Sequence, residues 1–242
     1  SRVMNGDYSG VSGETKERIL SAAQKLHYRP NRLARSLVKK RSKIVGLLIP
    51  DVSNPYYADL AKGVEQETEH NGYNLILCNT QDRVEKEKKY LNLLFEYNVD
   101  GLILTGITEP YGESSELLKG YGIPYVVIDR TDANAPVSFS SNGQRGTYLS
   151  TEYLICLGHR QIAFIGGEEK AGYPYLDSPR LQGYESALRA YGLRPDERLI
   201  REGSYTIESG YDCARELIKS GLPITAFVCT NDLIAFGVIK AV

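Results

Sequence analysis

At 242 residues, 42% of them apolar and 24% charged, the chain has the balance of a soluble globular protein with one large or two ordinary domains. No apolar run approaches the ~20 residues of a membrane-spanning helix and no signal-peptide pattern opens the chain, so no membrane association is expected and the cytoplasm is the expected compartment. The net charge of −1 conceals an asymmetry: residues 1–43 hold eleven Lys or Arg against Asp7, Glu14 and Glu17, a net of +8, which leaves −9 on the other 199. A basic head on an acidic body points to nucleic acid at one end, the alternative being a basic disordered tail or a solvated helical face. The four cysteines, Cys78, Cys156, Cys213 and Cys229, are far apart, with no CxxC pair and no clustered His. Neither a disulfide framework nor a metal site is expected.

In chain order, Ser1 to Asn5 reads as the last turn of a helix and Gly6 to Gly13 as a Gly/Ser/Asp loop. Thr15 to Leu26 carries a helical stripe of Ile19, Ala22, Ala23 and Leu26, with Ser12 or Gly13 as its cap and Glu14 in its first turn. One such helix cannot bury a core alone, so the head reads as the remainder of a larger module. Arg29 to Lys43 then holds seven Lys or Arg and no acid around a short helical pattern, with Leu33 and Leu37 on one face and Arg32 and Arg35 flanking it. Such a segment suits a phosphate backbone.

From Ile44 the pattern alternates strand and helix. Strands are expected at Ile44–Pro50, Tyr73–Cys78, Val99–Thr105, Pro124–Asp129, Val137–Ser140, Ile162–Gly166, Leu199–Glu202 and Thr225–Cys229. Helices are expected at Tyr56–Gly72, Arg83–Tyr97, Gln144–Leu157, Leu181–Tyr191, Glu208–Ser220 and Leu233–Val242. This predicts an α/β fold of parallel sheets covered by helices on both faces, with a crossover between two subdomains near Ser141–Gly143. A short echo between GVEQETEHNGYNL and GYESALRAYGLRP fits a duplicated layout.

In open α/β sheets ligands bind at the carboxyl ends of the strands, so the loops after them hold the candidate site. They supply Asn54, Tyr56, Tyr57, Asp129, Arg130, Arg180, Tyr205 and Asn231. Carboxylate, amide and guanidinium groups hydrogen-bond hydroxyls in pairs and aromatic faces cover the C–H surface of a sugar ring, so the mixture suits a polyol. Each residue taken singly has an ordinary reading as well: a loop ion pair for Asp129 and Arg130, a helix-start charge for Arg180, core packing for Tyr56 or Tyr57. Tyr173, Pro174 and Tyr175 lie in a longer loop that either closes over the pocket or is simply exposed.

The blocks SRVMNG, VSGETKERIL and LHYRPNRLARSL, followed by NPYYADLAKGVE, VDGLIL, GHRQIAFIGG, SPRLQGY and TNDLIAFGVIKA, resemble in order and spacing the lactose-repressor (LacI/GalR) family of bacterial transcription regulators. The resemblance spans the whole chain. It implies a two-lobed fold like type I periplasmic binding proteins, divided here as a head and hinge helix at 1–43 and effector-binding subdomains at 44–141 and 142–242. It implies that the chain is cut at both ends, starting inside a recognition helix and stopping before the closing strands. NPYY, Asp129-Arg130, Arg180 and Asn231 match positions that contact sugar in periplasmic ribose-binding proteins and related repressors. The Asp-Arg pair looks like the ribose-type pattern.

For DNA, the resemblance places a hinge helix on Asn31 to Leu37, with Leu37 as an apolar wedge in the minor groove, Ala34 beside it, and Asn31 and Arg32 on the backbone. Arg2 matches a recognition-helix residue facing the major groove, and Asn5, Ser12, Thr15 and Tyr28 match phosphate contacts. Plain packing between domains is the ordinary reading of Leu37. Enzyme motifs are missing: the sequence has no GxSxG, no GxGxxG after the first strand and no HExxH, and GEEKAGYP from Gly167 lacks the Lys-Ser/Thr of a phosphate loop. His159 falls between a helix end and a strand, a capping position. The resulting expectation is a homodimeric repressor of a carbohydrate operon, controlled by ribose or another small pentose and needing no cofactor. A periplasmic-type sugar receptor for transport is the alternative, and a nucleotide-dependent oxidoreductase the weaker third.

Overall fold

The structure, a computed structural model, describes residues 3–5, 8–26, 28, 41–105, 113–129, 135–167 and 178–242. In the head, Val3–Asn5 forms one turn of 3-10 helix and α1 spans Gly13–Lys25. Of the two caps the sequence offers, Ser12 is the one used, its hydroxyl accepting from the Thr15 N–H. No residue of α1 is buried.

The body holds two parallel sheets. In the first, β1 (Ile44–Ile49) lies between β2 (Asn74–Asn79) and β3 (Gly101–Thr105), followed outward by β4 (Tyr125–Ile128) and the short β5 (Ser138–Phe139), in the order β2-β1-β3-β4-β5. The β1 sequence IVGLLI is a near-continuous apolar run because it is covered on both faces, and Leu47, Leu48 and Ile49 are at most 1% exposed. Helices α2 (Pro55–His70), α3 (Val84–Glu96) and α4 (Glu113–Tyr121) connect the strands. In the second sheet β6 (Ile162–Gly167) is central, between β7 (Ile200–Gly203) and β8 (Ala226–Cys229). Helices α5 (Gly143–Cys156), α6 (Pro179–Ala190), α7 (Ile207–Lys219) and α8 (Asp232–Ala241) pack around it. The pleat of β6 sorts the core: Ala163 and Ile165 join the cluster of α7 and α8, while Ile162 and Phe164 join that of α5 and α6.

Several strands are shorter than the apolar runs. Pro124 lies just outside β4 because it has no N–H for the ladder, though its carbonyl accepts from Leu102 N. Leu199 belongs to a 3-10 turn, Glu197–Leu199, that Asp196 caps through Arg198 N. Helix α4 was not anticipated; it is short, with Ser114 and Leu118 buried one turn apart and Tyr121 stacked on Phe95 at 4.1 Å. The sequence echo has a local cause. Gly72 and Gly192, at φ of 70° and 72°, each follow the cap of the helix after a central strand, and Tyr73 N to Thr68 O and Leu193 N to Leu188 O close the same left-handed helix end. Among the described residues no helix is long and apolar enough to cross a membrane.

Candidate functional site

All six strand pairings among the described residues are parallel, so the carboxyl ends of each sheet gather on one side. Asp129 is the first residue after β4. It sits in the left-handed region at φ 49°, which Asp tolerates better than most side chains. Its carboxylate accepts from the N–H of Ser141 at 2.6 Å and the Ser141 hydroxyl at 3.0 Å, and the Tyr56 hydroxyl donates to its other oxygen. Partial burial pushes this carboxyl upward. The bonds from Tyr56 and Ser141 and the positive charge of Arg180 outweigh burial and hold it below the ordinary carboxylate range.

Tyr56 and Tyr57 open α2 and meet edge to face at 5.0 Å. Burial, and then the bond to Asp129, push the Tyr56 phenol up to about 12, so it is the donor of that pair. Tyr57 is more deeply set; burial raises its phenol most, with the negative charge of Asp82 next and Tyr205 of the second sheet among its neighbours. Arg180, the second residue of α6, acts electrostatically on both Tyr56 and Asp129. The Asp129 carboxylate and the Tyr56 phenol are thus bonded to each other at the first sheet and lie in the field of the Arg180 guanidinium from the second.

The position of Arg180 follows from close packing of α5 against α6. A Cβ on Gly183 would lie 2.1 Å from Gln144 O, so only glycine lets the helices approach this far, and the Thr147 hydroxyl donates to Arg180 O at 2.7 Å across the same seam. The Arg180 side chain then lies along Gly143, where a Cβ would meet its Cγ at 3.1 Å and its Nε at 3.2 Å. Tyr205, in the loop after β7, presses its ring on Gly167, and a Cβ there would sit 2.3 Å from the ring. Thr230 ties the same strand end, its hydroxyl accepting from Gly167 N at 3.0 Å.

Asn54 and Asn231 are both helix N-caps, their Oδ1 atoms accepting from Tyr56 N and Ile234 N. Capping turns each amide so that its acceptor faces the helix and its NH2 faces away, a donor at the mouth of the strand it follows. The described bonds of both are local, so they stand at the right strand ends without joining the Asp129 cluster. Arg130 and the 173–175 loop lie outside the described residues. Reading the sequence missed Ser141, which holds Asp129 from twelve residues away, and Asp82, which sits with Gln81 in a left-handed pair after β2. It also missed Asn79, the last residue of β2, whose Oδ1 is buried with no partner among the described residues. No periodicity marks such residues; their position at the carboxyl end of a strand or within three residues of it is the signal that was available.

Among the DNA-contact candidates, Arg2, Asn31, Arg32, Ala34 and Leu37 lie outside the described residues, and of Asn5 only the backbone is described. The Ser12 and Thr15 hydroxyls bond each other at 2.9 Å at the exposed start of α1, where unpaired N–H groups favour an anion. Tyr28 is 54% exposed. His159 does no chemistry that the geometry marks: its Nδ1 pairs with the Thr225 hydroxyl at 3.0 Å. Hollows of about 390 and 540 Å³ lie under the amino ends of the two sheets, away from Asp129.

Residues 42–242 match the family described as periplasmic binding proteins and sugar binding domain of LacI family. The chain is 36% identical over 242 residues to the HTH-type transcriptional regulator RegA of Clostridium saccharobutylicum, covering 100% of this chain and 72% of that protein. It is likewise 36% identical over 242 residues to the ribose operon repressor of Halalkalibacterium halodurans, covering 70% of that one. Among solved structures, a LacI family transcriptional regulator from Enterococcus faecium with bound ribose superposes with a TM-score of 0.70 at 29% identity, over 82% of this chain and 70% of that one. The alignments to the first two run through the basic head as well as the body. That decides against a transport receptor and against an enzyme, since both relatives are named as regulators of transcription.

Proposed function

The chain belongs to the LacI family of transcriptional regulators, and from that premise we propose that it is a cytoplasmic, homodimeric repressor whose operator affinity is set by a small sugar, ribose or another pentose. Residues 1–43 are the DNA-binding head and hinge, and 44–141 and 142–242 the two effector-binding lobes. The observation that carries the reading is the Asp129 carboxylate, kept ionised beside the Tyr56 hydroxyl and the Arg180 guanidinium. An ionised carboxylate has about four acceptor positions; two are taken by Ser141 and one by Tyr56, so a sugar hydroxyl can use the fourth or displace the phenol. Arg180 donates to the same hydroxyls from the other lobe, and the Tyr56 and Tyr57 rings cover the C–H face.

A sugar that touches both lobes favours the arrangement in which Asp129 and Arg180 are closest, and the shift reaches the head where Lys43 enters β1. Asn54, Tyr205, Arg130 and Asn231 complete the ligand contacts. Arg2, Asn5, Ser12, Thr15, Tyr28, Asn31, Arg32, Ala34 and Leu37 contact the operator. The test is a thermal-shift scan of the full-length protein against ribose, other pentoses, hexoses, nucleosides and purines, since a ligand that binds only the native state raises its midpoint. A shift with a pentose, and operator binding that changes on adding it, is the expected outcome. A folded protein that no sugar stabilises would overturn the effector assignment, and a shift with purines alone would replace it.

A further inference from the structure

At the opposite end of the first sheet, the chain passes from head to body through Ser42, Lys43 and Ile44, and one carboxylate holds that passage. Asp100 Oδ1 accepts from Ser42 N at 2.7 Å and from the Ser42 hydroxyl at 3.0 Å, while Oδ2 accepts from Lys43 N at 3.2 Å. The Asp100 N–H donates to Ile44 O at 2.8 Å, and Asn74 N to Lys43 O at 2.8 Å. Lys43 is in the left-handed region at φ 59°, and its ammonium lies 4.1 Å over the Tyr73 ring. Joining β1 to its neighbours needs only the ladder bonds. A non-glycine residue at positive φ costs conformational energy, and here surrounding bonds over-determine it.

We propose that Asp100 is a positioning residue for DNA binding: by fixing Ser42 and Lys43 it sets the direction in which the basic head leaves the body. This rests on the regulator reading above. A specific site read by two heads demands a fixed distance and orientation between them, whereas non-specific binding demands only positive charge near phosphate. Loosening the passage therefore separates the two affinities, which a merely structural role does not do.

The experiment uses the full-length protein and a duplex that the wild type selects from a random pool, with Asp100→Asn and Ser42→Ala as variants. Asp100→Asn keeps the shape but turns an NH2 or a weaker acceptor toward the Lys43 N–H. Expected for it are at least tenfold weaker binding of the selected duplex, unchanged binding of unrelated duplex at the same salt, faster tryptic cleavage after Lys43, and a melting midpoint close to wild type. Ser42→Ala, which removes only the hydroxyl arm, gives a smaller loss of the same kind. Equal binding of the selected duplex by Asp100→Asn overturns the proposal, as does a parallel loss of both affinities with a lowered melting midpoint. If the wild type selects no sequence at all, the regulator reading itself fails, and the DNA role of Asp100 fails with it.

Discussion

Two aspartates at opposite ends of the first sheet hold serines in the same manner and differ in the third partner. Asp129 takes the N–H and hydroxyl of Ser141, Asp100 the N–H and hydroxyl of Ser42, and the four distances lie between 2.6 and 3.0 Å. Each clasp fixes the chain at an end of the first sheet, at Ser141 just before α5 and at Ser42 just before β1. The third bond of Asp100 comes from the Lys43 backbone, which nothing else can replace without moving the chain. That of Asp129 comes from the Tyr56 hydroxyl, which a ligand hydroxyl can displace. On the proposed reading, one clasp stays shut while the other exchanges a partner, which would give a sugar-dependent signal a place to enter and a fixed point to act on.

The largest expected effect separates the two clasps. Asp129→Ala or Arg180→Ala removes a charged hydrogen-bonding group from the candidate site, and ribose affinity, where the wild type binds it, falls about 100-fold, or ~3 kcal/mol. DNA binding without sugar persists in both. Calorimetric titration checks the first, gel-shift titration the second; loss of DNA binding by Arg180→Ala alone would mean that the lobe had misfolded rather than lost a contact.

Next is the seam that carries Arg180. Gly183→Ala places a methyl 2.1 Å from Gln144 O, and because backbone cannot rotate away, α5 and α6 must part at a cost of ~2 kcal/mol. The expected result is a lower urea midpoint with an unchanged slope. Gly143→Ala is gentler: its methyl meets the flexible stem of Arg180 at 3.1 to 3.4 Å. Stability stays within about 0.5 kcal/mol, while sugar affinity drops roughly fivefold, or ~1 kcal/mol, as the guanidinium is pushed aside. A Gly143→Ala protein that binds sugar normally would show that Arg180 reaches the ligand by another path.

The comparison also marks what a sequence can disclose. The alternation of apolar runs and helical stripes gave the two parallel sheets, and the rule that ligands sit past strand ends reached Asn54, Tyr56, Asp129, Arg180 and Asn231 because those residues follow or open regular elements. Helix α4 escaped because its nine residues give only about two and a half turns of periodicity. Ser141 and Asp100 escaped for a different reason. Their partners are 12 and 58 residues away, and a serine or an aspartate beside an apolar run reads as ordinary loop chemistry until the strands are paired. The glycines at 167 and 183 were likewise unreadable, since what crowds out a side chain there comes from another helix or loop.

The smallest expected effect tests the exchangeable bond itself. Tyr56→Phe keeps the ring and deletes the hydroxyl, so Asp129 retains Ser141 and Arg180 but loses one donor. If a sugar hydroxyl displaces the phenol on binding, the deletion removes a competitor as well as a contact, and affinity at neutral pH changes by less than ~0.5 kcal/mol. The acid limb is more informative. Asp129 is held below the ordinary carboxylate range in the folded protein, so its charged form, and any binding that needs it, is fully present above the unfolded value and is lost only as pH falls through the depressed one. Removing the Tyr56 hydroxyl takes away a bond that favours the carboxylate and raises that value. The acid edge of sugar binding then moves to higher pH in Tyr56→Phe, and titrating binding from neutral downward measures the shift. An edge that stays where the wild type has it would mean that Ser141 and Arg180 alone set the charge of Asp129, leaving the phenol with only its ring to offer the ligand.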